Sequence, residues 1–152
     1  MTGATGFIGR ALVDSLIDAN CGVSALVRER SLLLSKDVTQ IVGGDLNESS
    51  VSGSKSHNKI KEALQNIDVV IHLAARAHIT KDAAEDPLTE FRKVNTSGTL
   101  NLAKQAAEAG VTRFIFISSI GVSGNNNNNN NNKAFTELDK PEPQEFYARS
   151  KY

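Results

Sequence analysis

Residues 2–9 read Thr2-Gly3-Ala4-Thr5-Gly6-Phe7-Ile8-Gly9, with three residues from each glycine to the next, and they run directly into a helical pattern. From Phe7 to Asn20 the apolar residues Ile8, Leu12, Leu16 and Ile17 recur on one side, and Gly22 acts as a stop. Glycines at such a turn let backbone approach backbone, leave N–H groups free, and place a bound pyrophosphate at the positive end of the helix dipole. An ordinary glycine-rich turn would look the same in isolation, so the reading depends on the rest of the chain.

Beyond the turn, strand-like and helix-like stretches alternate. Val23–Val27, Val38–Val42, Val69–Leu73 and Phe114–Ile117 are short, apolar and β-prone, and read as buried strands. Between them lie helical stretches: Lys59–Asn66, with Ile60, Leu64 and Ile67 on one face, and Pro87–Ala109, opened by Asp86 as N-cap and closed by Gly110. Helices alternating with buried strands predict an α/β fold, a doubly wound parallel sheet with helices on both faces.

The bulk composition narrows the function. Of 152 residues, 39% are apolar and 22% charged, which suits one soluble globular domain. Lys plus Arg balance Asp plus Glu at 17 each, with no basic run, so nothing is shaped to grip a nucleic acid. The single Cys21 cannot form an internal disulfide, and no apolar stretch is long enough to cross a bilayer; a reducing cytoplasm is expected. His57 and His78 read as loop or surface residues and His72 as packing at a strand end, with no second ligand at metal spacing, so no metal site is expected. Asn125–Asn132 is a low-complexity loop or a placeholder, and carries no chemistry here.

Further motifs occupy the ends of the predicted strands. Gly44-Asp45-Leu46 comes after the second β-prone run, His72-Leu73-Ala74-Ala75 ends the third, and Asn95 lies in the long helix. Ser118-Ser119 ends the run Phe114–Ile117, and Tyr147 precedes Lys151 by four residues, one face of a helix. An ammonium so placed is expected to stabilise the phenolate and lower a pKa otherwise near ~10.

Taken in this order, the motifs resemble the extended short-chain dehydrogenases, with their TGxxGxxG turn, and in particular the NAD-dependent epimerase/dehydratase family in its UDP-glucose 4-epimerase-like branch. The stretches HLAARAH, DPLTEFRKVN and AFTELDKPEPQEFYARSK carry that closer likeness. The resemblance implies a Rossmann-type fold spanning residues 1–152 as a partial NAD(P)-binding domain. Because the glycine turn should come after a strand, that strand is expected to be absent, as is the C-terminal substrate-binding region, and the 152 residues alone are expected to be inactive.

The resemblance also implies roles. Ser119, Tyr147 and Lys151 would be catalytic: Tyr147 takes the proton of a sugar hydroxyl, Ser119 orients that hydroxyl, and Lys151 holds the ribose and tunes Tyr147. Gly3, Gly6, Phe7, Ile8, Gly9, Arg28, Asp45, Leu46, Leu73, Ala74, Ala75 and Asn95 would contact the cofactor together with Tyr147 and Lys151. Ser118 would be a structural neighbour. Dehydratases of the family carry Thr-Asp-Glu where this chain has Ser119, Ile120 and Gly121; without the carboxylates, water elimination is disfavoured. The function implied is a nucleotide-sugar 4-epimerase of the UDP-glucose or UDP-N-acetylglucosamine type. The alternative is a reductase of 4-keto nucleotide sugars, since Ala77 and Ser123 stand where well-studied UDP-galactose 4-epimerases have Lys and Tyr. A dinucleotide-binding protein without turnover ranks third. NAD is expected ahead of NADP, although Arg28 stands where an acid would favour NAD and can accommodate a 2′-phosphate. A homodimer is a further expectation of the resemblance.

Overall fold

The computed structural model describes residues 1–43, 45–46, 53–77, 85–124 and 134–152. Gly44, His78 and the asparagine run lie outside the described residues. Helix α1 (Phe7–Asp18) is followed by strands β1 (Ser24–Val27) and β2 (Thr39–Val42), which pair in parallel with Leu26 opposite Ile41. Helix α2 (Lys55–Ala63) leads to β3 (Val69–His72), and α3 (Pro87–Arg92) and α4 (Thr99–Glu108) lead to β4 (Arg113–Phe116). Strands β3 and β4 are also parallel, with His72 opposite Phe116. Thr2 bridges Leu26 on one side and His72 on the other, both in parallel sense, and so joins the two pairs. The chain ends in α5 (Phe146–Lys151).

Successive strand residues point to opposite faces, and β1 shows what each face meets. Ala25 and Val27 pack with Val13 of α1, Ala4, Val23, Leu34 and Val38. Leu26, between them, packs with Ile60 and Leu64 near α2, Leu102 and Ala106 of α4, and Val70 of β3. Among the described residues there are thus two cores, one on each side of the strands, which is the doubly wound α/β arrangement expected of the alternation.

Three expectations are corrected in detail. Only β1 is largely buried; Val42 and Val69 remain 38% and 41% exposed, and β4 alternates between intermediate and exposed. Apolar content predicted burial on both faces, but a strand residue is buried only where a helix covers it. Helix α2 begins at Lys55, earlier than the apolar spacing suggests, because Ser54 caps it by accepting the backbone N–H of His57 at 3.1 Å. His57 therefore sits on a helix, half-buried, with its Nδ1 unpartnered. The stretch 87–109 is capped by Asp86 as expected, at 3.2 Å to the Thr89 N–H, but it is interrupted by a π-helical turn, Lys93–Gly98. That turn carries Asn95, and single π-turns inside helices commonly mark functional sites.

Candidate active site

The glycine-rich turn is shaped by close backbone contacts. Gly3 has φ +70°, and a Cβ there would stand 2.7 Å from the Ala74 nitrogen and 2.8 Å from the Leu73 carbonyl carbon. A Cβ on Gly9 would stand 2.1 Å from the Gly3 oxygen. Gly3 and Gly9 are therefore required by packing: one brings the turn onto the end of β3, the other brings α1 onto the turn. At Gly6, the N-cap, no side chain caps the helix and no acid occupies the first turn. Helix geometry leaves the N–H groups of Phe7 and Ile8 without internal partners. Their side chains, 89% and 60% exposed, leave that end open to solvent. These are the donors and the dipole end that a phosphate group requires.

Leu73 and Ala74 are held against the same turn: the Leu73 N–H donates to the Thr2 carbonyl at 3.3 Å, and the Ala74 N–H to Thr2 Oγ1 at 3.2 Å. Ala75 comes next, half-buried. Thr2 Oγ1 also lies 2.6 Å from His72 Nδ1, and His72 Nε2 lies 2.8 Å from Thr99 Oγ1. Donors and acceptors fix the order. The Thr99 hydroxyl donates to the Asn95 carbonyl at 2.8 Å, so it accepts from His72 Nε2, which carries a ring proton. Burial, the Lys151 charge and the N-terminal charge lower the His72 pKa to about 4, so the ring is neutral near pH 7 and its Nδ1 accepts the Thr2 hydroxyl proton.

Asn95 is 2% exposed and fully engaged. Its Oδ1 accepts the Arg76 N–H at 2.8 Å, and its Nδ2 donates to the Arg76 carbonyl at 3.0 Å and to Ser150 Oγ at 2.9 Å. Ser150 in turn donates to the Tyr147 carbonyl at 2.7 Å, and Thr96 Oγ1 donates to the Ser150 carbonyl at 2.9 Å. The π-helical turn thereby fastens the loop after β3 to α5. Leu46 is buried and rests on Gly98, where a Cβ would stand 2.9 Å from Leu46 Cβ; the Asp45 N–H reaches Ser56 Oγ at 3.4 Å. Arg28 is exposed just past the end of β1.

The end of β4 meets α5. Ser119 caps the 3₁₀ turn Ile120–Ser123, accepting the Gly121 N–H at 3.2 Å. A Cβ on Gly121 would be 3.3 Å from Ala148 Cβ, and Ser118 Oγ is 3.5 Å from the Lys151 carbonyl. Ser118, Ser119, Tyr147 and Lys151, far apart in sequence, therefore lie on two adjoining segments. The Tyr147 and Phe91 rings meet edge to face, with centroids 6.3 Å apart.

The expected lowering of the Tyr147 pKa is corrected. Half-burial raises the phenol above its ordinary value near 10, and no contribution from Lys151 offsets it. The Lys151 ammonium lies instead over the Phe116 ring, 4.0 Å from its centroid, and burial lowers its own pKa to about 8. Helical spacing places Tyr147 and Lys151 on one side of α5 but leaves the direction of a long flexible side chain open.

Thr2, Thr99, Arg76, Ser150 and Phe116 are the site residues that the sequence did not single out. Thr2 heads the glycine motif, which is a usable signal; the others have none, because their partners are remote in the chain. Among the described residues, no group of three or more His, Cys, Asp or Glu side chains is gathered, and no helix is long and apolar enough to cross a membrane.

A family model described as the NAD dependent epimerase/dehydratase family matches residues 1–152. The chain is 41% identical to a UDP-glucose 4-epimerase of Vibrio cholerae, over 99% of this chain and 43% of that protein. Among solved structures, the UDP-glucose 4-epimerase of Thermus thermophilus, in complex with NAD, superposes with a TM-score of 0.80 at 27% identity, covering 99% of this chain and 46% of that one. MoeE5 in complex with UDP-glucose and NAD superposes with a TM-score of 0.76 at 30% identity, covering 99% and 44%. The chain thus spans less than half the length of these relatives.

Proposed function

Since the chain belongs to the NAD-dependent epimerase/dehydratase family and has its Rossmann-type fold, we propose that the whole protein is an NAD(P)-dependent nucleotide-sugar 4-epimerase acting on UDP-glucose or UDP-N-acetylglucosamine. The observation that carries this reading is the packing of α5, with Tyr147 and Lys151, against the segment that carries Ser119. Likeness to UDP-glucose 4-epimerase and to UDP-glucose-bound MoeE5 supports the substrate class.

The residues present fit a dinucleotide. Gly3 and Gly9 hold the turn against β3 and α1 in the way close backbone approach requires, and the first N–H groups of α1, at an end whose residues Phe7 and Ile8 are exposed, would hold the pyrophosphate. Asp45 and Leu46, Leu73 to Ala75 and Asn95 border the same end of the strands, and NAD is the cofactor favoured. When bound, NAD would supply reversible hydride transfer at the sugar carbon. Tyr147 removes the proton of the sugar 4-hydroxyl through its phenolic oxygen, and Ser119 Oγ orients that hydroxyl. Burial opposes ionisation of Tyr147, and the Lys151 ammonium, which here lies over the Phe116 ring, would favour the phenolate only by turning towards it from the same side of α5. Ile120 and Gly121 supply no acid or base, so this chain's residues stop at proton transfer and do not eliminate water.

One feature favours the second reading, a reductase of 4-keto nucleotide sugars: Ala77 and Ser123 replace the Lys and Tyr of well-studied UDP-galactose 4-epimerases. The deciding experiment uses the full-length protein. It is incubated with UDP-glucose and UDP-N-acetylglucosamine without added cofactor, and separately with a 4-keto nucleotide sugar and NADPH. Conversion to the 4-epimer without net cofactor consumption is expected; stoichiometric NADPH oxidation with the keto sugar alone would replace the epimerase reading by the reductase.

A further inference from the structure

Phe116 is the last residue of β4 and pairs in register with His72 on β3, so both side chains project to the same face of the sheet. Their rings stack at a centroid distance of 5.8 Å and an interplanar angle of 26°. Above them lies Lys151, 4% exposed, with its ammonium 4.0 Å from the centre of the Phe116 ring. Among the described residues, no carboxylate stands within salt-bridge distance of that ammonium. A cation so far withdrawn from water needs a compensating partner, and the negative face of an aromatic ring is one.

We propose that Phe116 is a positioning residue for Lys151, its ring face holding the ammonium at the end of β4 by a cation–π contact while the neutral His72 ring supports it from the side. This deepens the proposed function and rests on its reading of Lys151 as the lysine that serves cofactor and Tyr147. An apolar residue of similar bulk would fill the space below Lys151 but would offer the charge nothing. His72 belongs to the device because its bonds to Thr2 and Thr99 fix the ring in place while burial and the neighbouring positive charges keep it neutral; a protonated imidazole there would repel the ammonium.

Among the described residues, the other titratable groups on the elements packed against α5 are Glu90 and Arg92 of α3 and Lys93 of the π-helical turn, where Glu90 and Lys93 pair with each other at 2.5 Å near the surface. The 3₁₀ turn Ile120–Ser123 has none, and α5 itself adds Tyr147 and Arg149, with Glu145 at its N-cap. Because the ring favours the charged form, removing its quadrupole should lower the lysine pKa beyond what burial does.

The test uses the full-length protein, free of cofactor and sugar, with phenylalanine at 116 replaced by its mono-, di- and trifluoro analogues. Fluorination withdraws charge from the ring face with little change of shape, so it separates the electrostatic role from packing. The readout is the Lys151 pKa from 13Cε-lysine NMR, the resonance being assigned by its loss in Lys151→Arg. A stepwise fall across the series is expected, reaching roughly half a unit to one and a half units in Phe116→Leu, with Phe116→Tyr close to wild type. A pKa indifferent to fluorination overturns the proposal, whether or not Phe116→Leu folds. Sugar conversion is assayed separately, so a graded pKa in a protein without epimerase activity would sustain the ring contact while removing the reaction.

Discussion

Replacing Gly9 by Ala tests whether the glycine turn is fixed by backbone packing. The added Cβ would be placed 2.1 Å from the Gly3 oxygen and 2.9 Å from both the carbonyl carbon and Cα of Ala4. All three are backbone atoms, so no side chain can rotate away. Relief requires α1 to move off the turn by about 1 Å, the shortfall from ordinary contact. That movement disturbs Val13 and Ala4, which are 0% and 1% exposed in the core that α1 shares with β1. Overpacking of this kind costs up to about 3 kcal/mol, while Ala within a helix regains about 1 kcal/mol over Gly. The expected net loss is about 2 kcal/mol, measured by urea denaturation of the full-length protein. NAD affinity, measured by calorimetry, should fall with it, since the N–H groups of Phe7 and Ile8 shift together with the helix. Gly22→Ala is the control, because a Cβ there meets nothing within 4 Å; a change within about 0.5 kcal/mol is expected. A Gly9→Ala protein as stable as wild type, and with unaltered NAD affinity, would refute the reasoning.

Acidification should act through His72. Its folded pKa of about 4 lies below the ordinary value of 6.5, so between those values the unfolded chain binds more protons and stability falls as pH falls; denaturation should show a loss of about 2 kcal/mol from His72 between pH 7 and pH 5, absent in His72→Gln. Asn95→Ala should cost about 2 kcal/mol by leaving the Arg76 N–H and the Ser150 hydroxyl without their partner, and thermal unfolding that matches wild type would show the clamp to be dispensable. Arg28→Ala should weaken NADPH binding at least about tenfold more than NADH binding if the guanidinium meets a 2′-phosphate; equal losses for the two cofactors would remove that role.

The alternation of β-prone runs and amphipathic stretches determined the parallel α/β architecture, because side-chain periodicity and burial are local properties of the chain. The glycine spacing likewise determined a strand-to-helix turn suited to phosphate, since only glycine tolerates the approach that Gly3 and Gly9 make. Helix limits are legible where a cap adjoins the apolar spacing, as at Asp86, whereas the Ser54 cap lies ahead of the first apolar residue of its helix, and nothing local announces the π-helical turn at Lys93–Gly98. That turn belongs with contacts made across the fold, through Asn95 to Arg76 and Ser150, whose energies no single window of sequence contains. The same holds for the chemistry of α5. Spacing put Tyr147 and Lys151 on one helical side, but tertiary packing set the burial that raises the phenol's pKa and the Phe116 ring that draws the ammonium away. Electrostatic character depends on which groups share a desolvated space, and that is decided by the strands and helices converging on it.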